Sequence, residues 1–162
     1  MKTILLRAVL ACSVGAASCI AGAARSADAT DPIVATWVLN IAKSTFDPPP
    51  PLKSQTLTIS DAPGGGFHQA IDYQEADGPP IHMEFTTMYD GKETAITGNG
   101  EADAVVATRP QPNTFKFVFK KAGKQVEAAQ FTISASGKNL RGPISGKDGD
   151  VAWKYHYVFD RK

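Results

Sequence analysis

The chain has 162 residues, enough for one domain with its own core, and 43% of them are hydrophobic. Its 17 basic and 16 acidic residues nearly cancel, and no basic run is present that could hold a nucleic-acid backbone. This composition therefore excludes nucleic acid as an expected partner and indicates an ordinary globular domain.

The first 23 residues have the features of a signal peptide. Lys2 and Arg7 give a positive start, and residues 8–24 are small and apolar, without an acid. Ala21-Gly22-Ala23 fits the small-x-small cleavage pattern, and a second match allows cleavage as late as residue 29. We expect export to the periplasm or beyond. An uncleaved membrane helix is the alternative, although the apolar run is short for a bilayer span.

Both cysteines lie within this leader. Removal of residues 1–23 takes away Cys12 and Cys19, so no disulfide and no thiol chemistry are expected in the mature chain. Residues 16–19 also resemble a bacterial lipoprotein processing site. Lipidation at Cys19 is a second alternative, and for a processed chain it is the one case in which we expect membrane attachment.

After a short lead at 24–32, residues 33–162 form the predicted domain. Apolar and polar residues alternate through short segments, and turns rich in glycine or proline separate them. No segment has a helical period. The predicted strands cover residues 33–41, 53–61, 67–74, 81–89, 93–97, 102–109, 114–121, 124–135, 140–146 and 151–160.

The short connections favour antiparallel neighbours, and closure of the sheet would remove exposed strand edges. We therefore predict an all-β fold, an antiparallel up-and-down β-barrel of 8–10 strands, with a β-sandwich as the alternative. Residues 47–51, with four consecutive prolines, predict a stiff loop. Pro143 interrupts 140–146, which predicts an edge strand, a bulge or a partly irregular segment.

Several motifs resemble small secreted bacterial proteins with a lipocalin-like fold. The stretch 35–40 (Ala-Thr-Trp-Val-Leu-Asn) with Lys43-Ser44-x-Phe46 is similar to the opening of those proteins, as are 89–92, 97–99 and the aromatic last strand. The resemblance implies a calycin-type barrel, similar to lipocalins and fatty-acid-binding proteins. It also implies that Trp37 packs near an arginine at the barrel end, a part that Arg161 would take.

The larger apolar side chains fall on consistent strand faces. Such residues either fill a core or line an apolar cavity in which a few polar groups orient a ligand. We assign Tyr155 or Tyr157 the orienting role. The predicted ligand-binding residues are Trp37, Met83, Phe85, Phe117, Phe119, Phe131, Trp153, Tyr155 and Tyr157.

No motif indicates catalysis, a metal or a cofactor. A hairpin turn at Asp77-Gly78 would place His82 opposite Tyr73 and His68 opposite Thr87, about 17 Å apart along the strands and too far to share zinc. Asn99-x-Glu101-x-Asp103 has oxygens at alternate positions, but it lacks the rest of a calcium loop, and a strand there would point all three towards water. The Gly-Lys pairs lack phosphate-loop spacing.

The sequence thus predicts a monomeric, exported, non-enzymatic barrel that binds a small hydrophobic or amphipathic molecule in its interior. One alternative is an envelope adaptor or structural protein with a filled barrel, which would act through outer loops such as residues 47–52. A second is a barrel enzyme without a recognisable motif. A packed interior would favour the adaptor, whereas converging buried acids or histidines would favour the enzyme.

Overall fold

A computed structural model describes residues 30–48, 52–98 and 100–162. The predicted signal peptide, its cleavage sites and Cys19 lie outside the described residues, as do the prolines at 49–51 and Asn99. No helix in the described part of the chain is long and apolar enough to cross a membrane.

The described residues form an antiparallel sheet of twelve strands that curves into a nearly closed barrel. Two short 3₁₀ turns, Ile41–Lys43 and Pro63–Gly65, interrupt the strands. The strands are β1 (Ala35–Leu39), β2 (Thr45–Asp47), β3 (Leu52–Ala62), β4 (Gly66–Glu75), β5 (Pro80–Thr87), β6 (Asp90–Ala95), β7 (Thr97–Gly98), β8 (Ala104–Gln111), β9 (Thr114–Lys121), β10 (Lys124–Ile133), β11 (Asn139–Asp148) and β12 (Val151–Arg161).

The sheet follows the chain in two meanders that meet where the first strand pairs with the last. Strands β8 to β12 are neighbours in sequence order, β12 pairs with β1, and β1 continues through β3, β4 and β5. The predicted all-β, antiparallel barrel is confirmed. The described sheet has two strands more than the upper prediction, and short strands such as the three-residue β2 and the two-residue β7 account for the difference.

The ends of the sheet path meet at a seam. Strand β6 pairs with β8 and strand β7 pairs with β5, and only Ile96 separates β6 from β7 in the chain. The hydroxyls of Thr87 and Thr94 are 2.9 Å apart across the seam. Both edges of the described sheet therefore belong to one short peptide.

Strand β11 corrects the prediction of an edge strand at 140–146, whereas the partly irregular segment that the prediction also allowed is present on one side of the strand. It is an interior strand that pairs with both β10 and β12. Its ladder to β12 is continuous, whereas the ladder to β10 has no paired residue at Gly142 or Pro143. Pro143 lacks only one donor, and a Cβ at Gly142 would lie 1.9 Å from the carbonyl oxygen of Gln130, so glycine allows the strands to approach closely there.

Trp37 anchors the core where β1 passes between β3 and β12. Its side chain has no exposed surface, and its indole N–H donates to the carbonyl oxygen of Ile33 at 2.8 Å. The guanidinium of Arg161 lies 5.4 Å from the indole and donates to the carbonyl oxygen of Val34 at 2.9 Å. The contact expected between Trp37 and Arg161 is thus present.

A second arginine closes the apolar layer around the rings of Phe67, Tyr89 and Phe115. The guanidinium of Arg109 lies 5.4 Å from the ring of Tyr89 and 4.8 Å from that of Phe115. It also forms a salt bridge with Asp31, in which both side chains are about three-quarters buried. Tyr89 stacks on Phe67 at 4.8 Å, so one end of the barrel is filled by rings under an ion pair.

Candidate functional site

The barrel encloses a cavity of about 490 Å³, a volume within the range of small-molecule sites. Apolar residues outnumber polar ones on the wall, which also holds three glutamates, two glutamines and three tyrosines. The wall comprises Ile33, Pro48, Leu52, Gln55, Leu57, Ile59, Gln69, Ile71, Tyr73, Glu75, Met83, Glu101, Phe117, Phe119, Glu127, Ala129, Phe131, Leu140, Ile144, Val151, Trp153, Tyr155, Tyr157 and Phe159.

Two of the nine predicted ligand-binding residues do not reach this wall. Trp37 and Phe85 are buried, 0% and 3% exposed, and they lie in the surrounding core. Alternation along a strand gives the face of a side chain but not its depth, so the sequence could not separate these positions. The other seven predicted residues line the cavity: Met83, Phe117, Phe119, Phe131, Trp153, Tyr155 and Tyr157.

One cross-strand row places an acid beside an aromatic ring. Trp153 lies opposite Gly146, Gly146 opposite Glu127, and Glu127 opposite Phe119. A Cβ at Gly146 would be 2.4 Å from the Trp153 ring, so the indole lies across this glycine, the strand position that separates it from Glu127. Glu127 is therefore flanked by Phe119 and Trp153 at one level of the barrel.

A bulge in β10 shapes this part of the wall. Gln125 pairs with Lys120 and Glu127 pairs with Phe119, so Val126 is an extra residue in the strand. Val126 packs against the hydrophobic core and Glu127 lines the cavity, although regular alternation would send consecutive side chains to opposite faces. The bulge thus lets two consecutive residues contribute to the interior.

The charged groups of the wall are all acids. Glu75, Glu101 and Glu127 line the cavity, and no Lys, Arg or His does so in the described part of the chain. Burial, followed by the nearby charge of Glu101, raises the pKa of Glu127 to about 7. An anion would meet repulsion here, whereas a cation would stabilise the ionised Glu127.

Three tyrosines accompany the acids on the wall. Burial raises the pKa of Tyr73 to about 12, and the charges of Glu75, Glu101 and Glu127 contribute to that rise. Burial also raises the pKa of Tyr157, and Glu127 adds to this effect. Burial, followed by the charge of Asp47, raises the pKa of Tyr155. All three phenols therefore stay neutral and can donate or accept a hydrogen bond.

Gln69 gives the cavity an unsatisfied acceptor. Its side chain is 3% exposed and lies on the wall between Ile59 and Phe85 of the neighbouring strands. Its Oε1 atom has no hydrogen-bond partner among the described residues. A buried polar atom without a partner costs folding free energy, and such atoms are uncommon in native proteins.

Sequence reasoning identified Tyr155 and Tyr157 on the wall but missed its glutamates, its glutamines and Tyr73. Alternation along the strands could have identified two of these residues. Gln69 falls on the same strand face as Phe67 and Ile71, and Glu127 falls on the same face as Ala129. Glu101, which the sequence predicts to point towards water, is exposed and also contributes to the cavity wall. Its neighbour Asp103 accepts a hydrogen bond from the backbone N–H of Ala122 at 2.9 Å.

The histidines lie on the outside of the barrel, in a register one residue from the prediction. His82 is opposite Asp72, and His68 is opposite Thr86, because the turn at 76–79 differs by one residue from the assumed hairpin. Their Nε2 atoms are 3.8 and 3.7 Å from Glu84, and His82 also contacts Asp72 at 2.7 Å. Within residues 30–48, 52–98 and 100–162, no set of three His, Asp or Glu side chains is arranged to hold a metal.

The raised pKa of Glu127 predicts a pH dependence of stability. The folded protein holds this proton up to about pH 7, whereas the unfolded chain releases it near the ordinary value of 4.5. The unfolding free energy should therefore fall as pH rises from about 4.5 to 7, and this contribution should stay constant above that range. Glu101, Tyr73 and Tyr157 face the same carboxyl, and the two tyrosines remain neutral throughout.

Urea unfolding of the wild type and Glu127→Gln across this pH range measures that contribution. We expect the unfolding free energy of the wild type, relative to that of Glu127→Gln, to fall from about pH 4.5 to 7 and then to stay constant. Contributions common to both, such as that of His82, cancel in the difference. Parallel curves at every pH would contradict the prediction.

Comparison with models of known protein families and with curated proteins gives no match for this chain.

Proposed function

We propose that this protein is an exported carrier that binds a small hydrophobic or amphipathic molecule inside its barrel. The observation that carries the proposal is the cavity of about 490 Å³, with a mainly apolar wall that also carries polar groups. Desolvation of the ligand against rings such as Phe117 and Phe131 would supply the affinity. The hydroxyls of Tyr155 and Tyr157 would orient the polar end.

Export and a monomeric state are further parts of the proposal. The predicted signal peptide supports export. The exposed large hydrophobic side chains of the described residues are Ile41 in a 3₁₀ turn, Met88 in the connection between β5 and β6, and Val151 at the start of β12. This distribution gives little support to an adaptor that docks through an apolar patch.

A catalytic role is a second candidate, and Glu127 favours it. A carboxyl in a cleft with a pKa of about 7 is suited to proton transfer near neutral pH. The same carboxyl could instead serve as the counter-ion of a bound cation, and no reaction would then take place. Native mass spectrometry of the protein purified gently from periplasm separates these roles, because a carrier retains its ligand and returns it with its mass unchanged.

The two tryptophans provide the direct binding test. Trp153 lines the cavity, whereas Trp37 is fully buried outside it. In the Trp37→Phe variant, bound 1-dodecanol should protect the remaining tryptophan from acrylamide quenching. In Trp153→Phe, the remaining emission should be insensitive to both acrylamide and the alcohol.

Saturable displacement of the neutral dye N-phenyl-1-naphthylamine by 1-dodecanol would give the affinity. A protein that neither binds the dye nor yields a small molecule by native mass spectrometry would contradict the carrier function. Protection of Trp37 instead of Trp153 would contradict the assigned cavity.

A further inference from the structure

The cavity presents hydrogen-bond acceptors in excess of donors. Ionised Glu75, Glu101 and Glu127 can only accept, and the free Oε1 of Gln69 is also an acceptor. No cationic side chain among the described residues lines the wall to satisfy them. A ligand that brings N–H donors and positive charge would therefore complement these acceptors.

Gln69 shows that acceptors without a donor are not confined to the acids. Its side chain is at least nine-tenths buried, lies on the cavity wall, and leaves Oε1 without a partner among the described residues. This amide is neutral, so repulsion between carboxylates does not account for its unsatisfied state. Its unsatisfied acceptor is an observation independent of the acids, and an N–H or O–H donor within the cavity would satisfy it.

The cross-strand row around Glu127 has the form of a cation site. The carboxylate supplies a counter-charge, and the Trp153 indole, which lies across Gly146 and stacks on Tyr155 at 4.8 Å, supplies aromatic surface at the same level of the barrel. Tryptophan is the best aromatic partner for a cation, and the interaction strengthens when water is removed. Phe119 completes the row on the other side and adds apolar surface.

We infer that the ligand is an amphipathic amine, with an apolar chain or ring system among the phenylalanines and a protonated nitrogen held between Glu127 and Trp153. The inference rests on the proposed carrier function and specifies its ligand class. Fatty acids and other anionic amphiphiles fit this wall poorly because their carboxylate would face three acids.

Three competitors of equal chain length test the inference. N-phenyl-1-naphthylamine is bound first and then displaced by dodecylamine, 1-dodecanol or dodecanoate at about pH 8, where the amine is protonated and Glu127 is ionised. All competitors are kept below their micellar concentrations. We expect dodecylamine to bind about tenfold more tightly than the alcohol, and dodecanoate to bind most weakly.

Two matched substitutions locate the charge that makes the difference. Glu127→Gln keeps the size of the side chain and should bring the amine to the affinity of the alcohol. Glu84→Gln is the control, because Glu84 lies on the outer face beside His68 and His82, and it should leave the tenfold preference intact. Dye affinity, which involves no charge, reports whether each variant retains the cavity.

The outcomes separate the inference from the carrier function. Equal affinities for the three competitors, preference for dodecanoate, or an amine preference that survives Glu127→Gln would overturn the amine assignment while the dye still binds. Absence of saturable dye binding in the wild type would overturn the carrier function itself. Loss of the preference in Glu127→Gln and its retention in Glu84→Gln would establish the ligand class and the residue that selects it.

Discussion

Replacement of Trp37 by alanine should lower the unfolding free energy by about 3–5 kcal/mol, the range for loss of a large buried aromatic side chain. The indole is 0% exposed, its N–H donates to Ile33, and Arg161 covers its face. The substitution leaves a cavity, the Ile33 carbonyl loses its donor, and the guanidinium loses its ring. Urea denaturation monitored by circular dichroism measures the loss.

Trp153→Ala is the matched control, because it removes the same side chain from a partly exposed position on the cavity wall. We expect its cost to be below about 2 kcal/mol, since less apolar surface is buried there. The order should reverse for ligand affinity, because Trp153→Ala alters the proposed cation site and Trp37→Ala does not. Equal losses of stability would contradict the division between core and cavity residues.

Substitution of Ala129 by phenylalanine should abolish ligand binding while the barrel stays folded. Ala129 lies on the cavity wall opposite Phe117 and Ile144, so the new ring would occupy the space that the ligand needs. We expect dye affinity to fall by about a hundredfold or more, which corresponds to about 2.8 kcal/mol. The unfolding free energy should be unchanged or higher, because the ring fills empty volume.

Ala107→Phe provides the comparison. Ala107 is 0% exposed, lies opposite Phe117 on the neighbouring strand, and does not line the cavity. Overpacking at this position should cost about 1–3 kcal/mol. If Ala129→Phe also destabilised the protein by that amount and the dye still bound, the interior would be filled and the cavity assignment would be wrong.

The strand faces could be predicted because alternation is a local property of the chain. Phe115, Phe117 and Phe119 are all buried, as their spacing indicates. Alternation does not specify which strands pair, however, and Pro143 led to an edge assignment for a strand that is interior. The strand can be interior because Gly142 has no side chain and allows close contact with β10. The local sequence pattern does not reveal this contact.

The polar wall was harder to predict for a different reason. Glu127 and Gln69 have the parity of buried neighbours, but an acid or amide is ordinarily assigned to solvent, since burial without a partner is costly. Only the three-dimensional cavity explains how such residues can face inward, because it provides room for water or a ligand. The bulge at Val126 also changes the local alternation, and no composition signal marks it.

The seam of the barrel has a mechanical consequence. In the part of the chain that the structure describes, the sheet ends at β6 and β7, and a single residue, Ile96, joins them covalently. These two ends cannot separate by more than the span of that linker, so forced opening of the sheet must begin at a ladder elsewhere. The two end strands are only six and two residues long, and each alone offers little template for the growth of intermolecular β-structure.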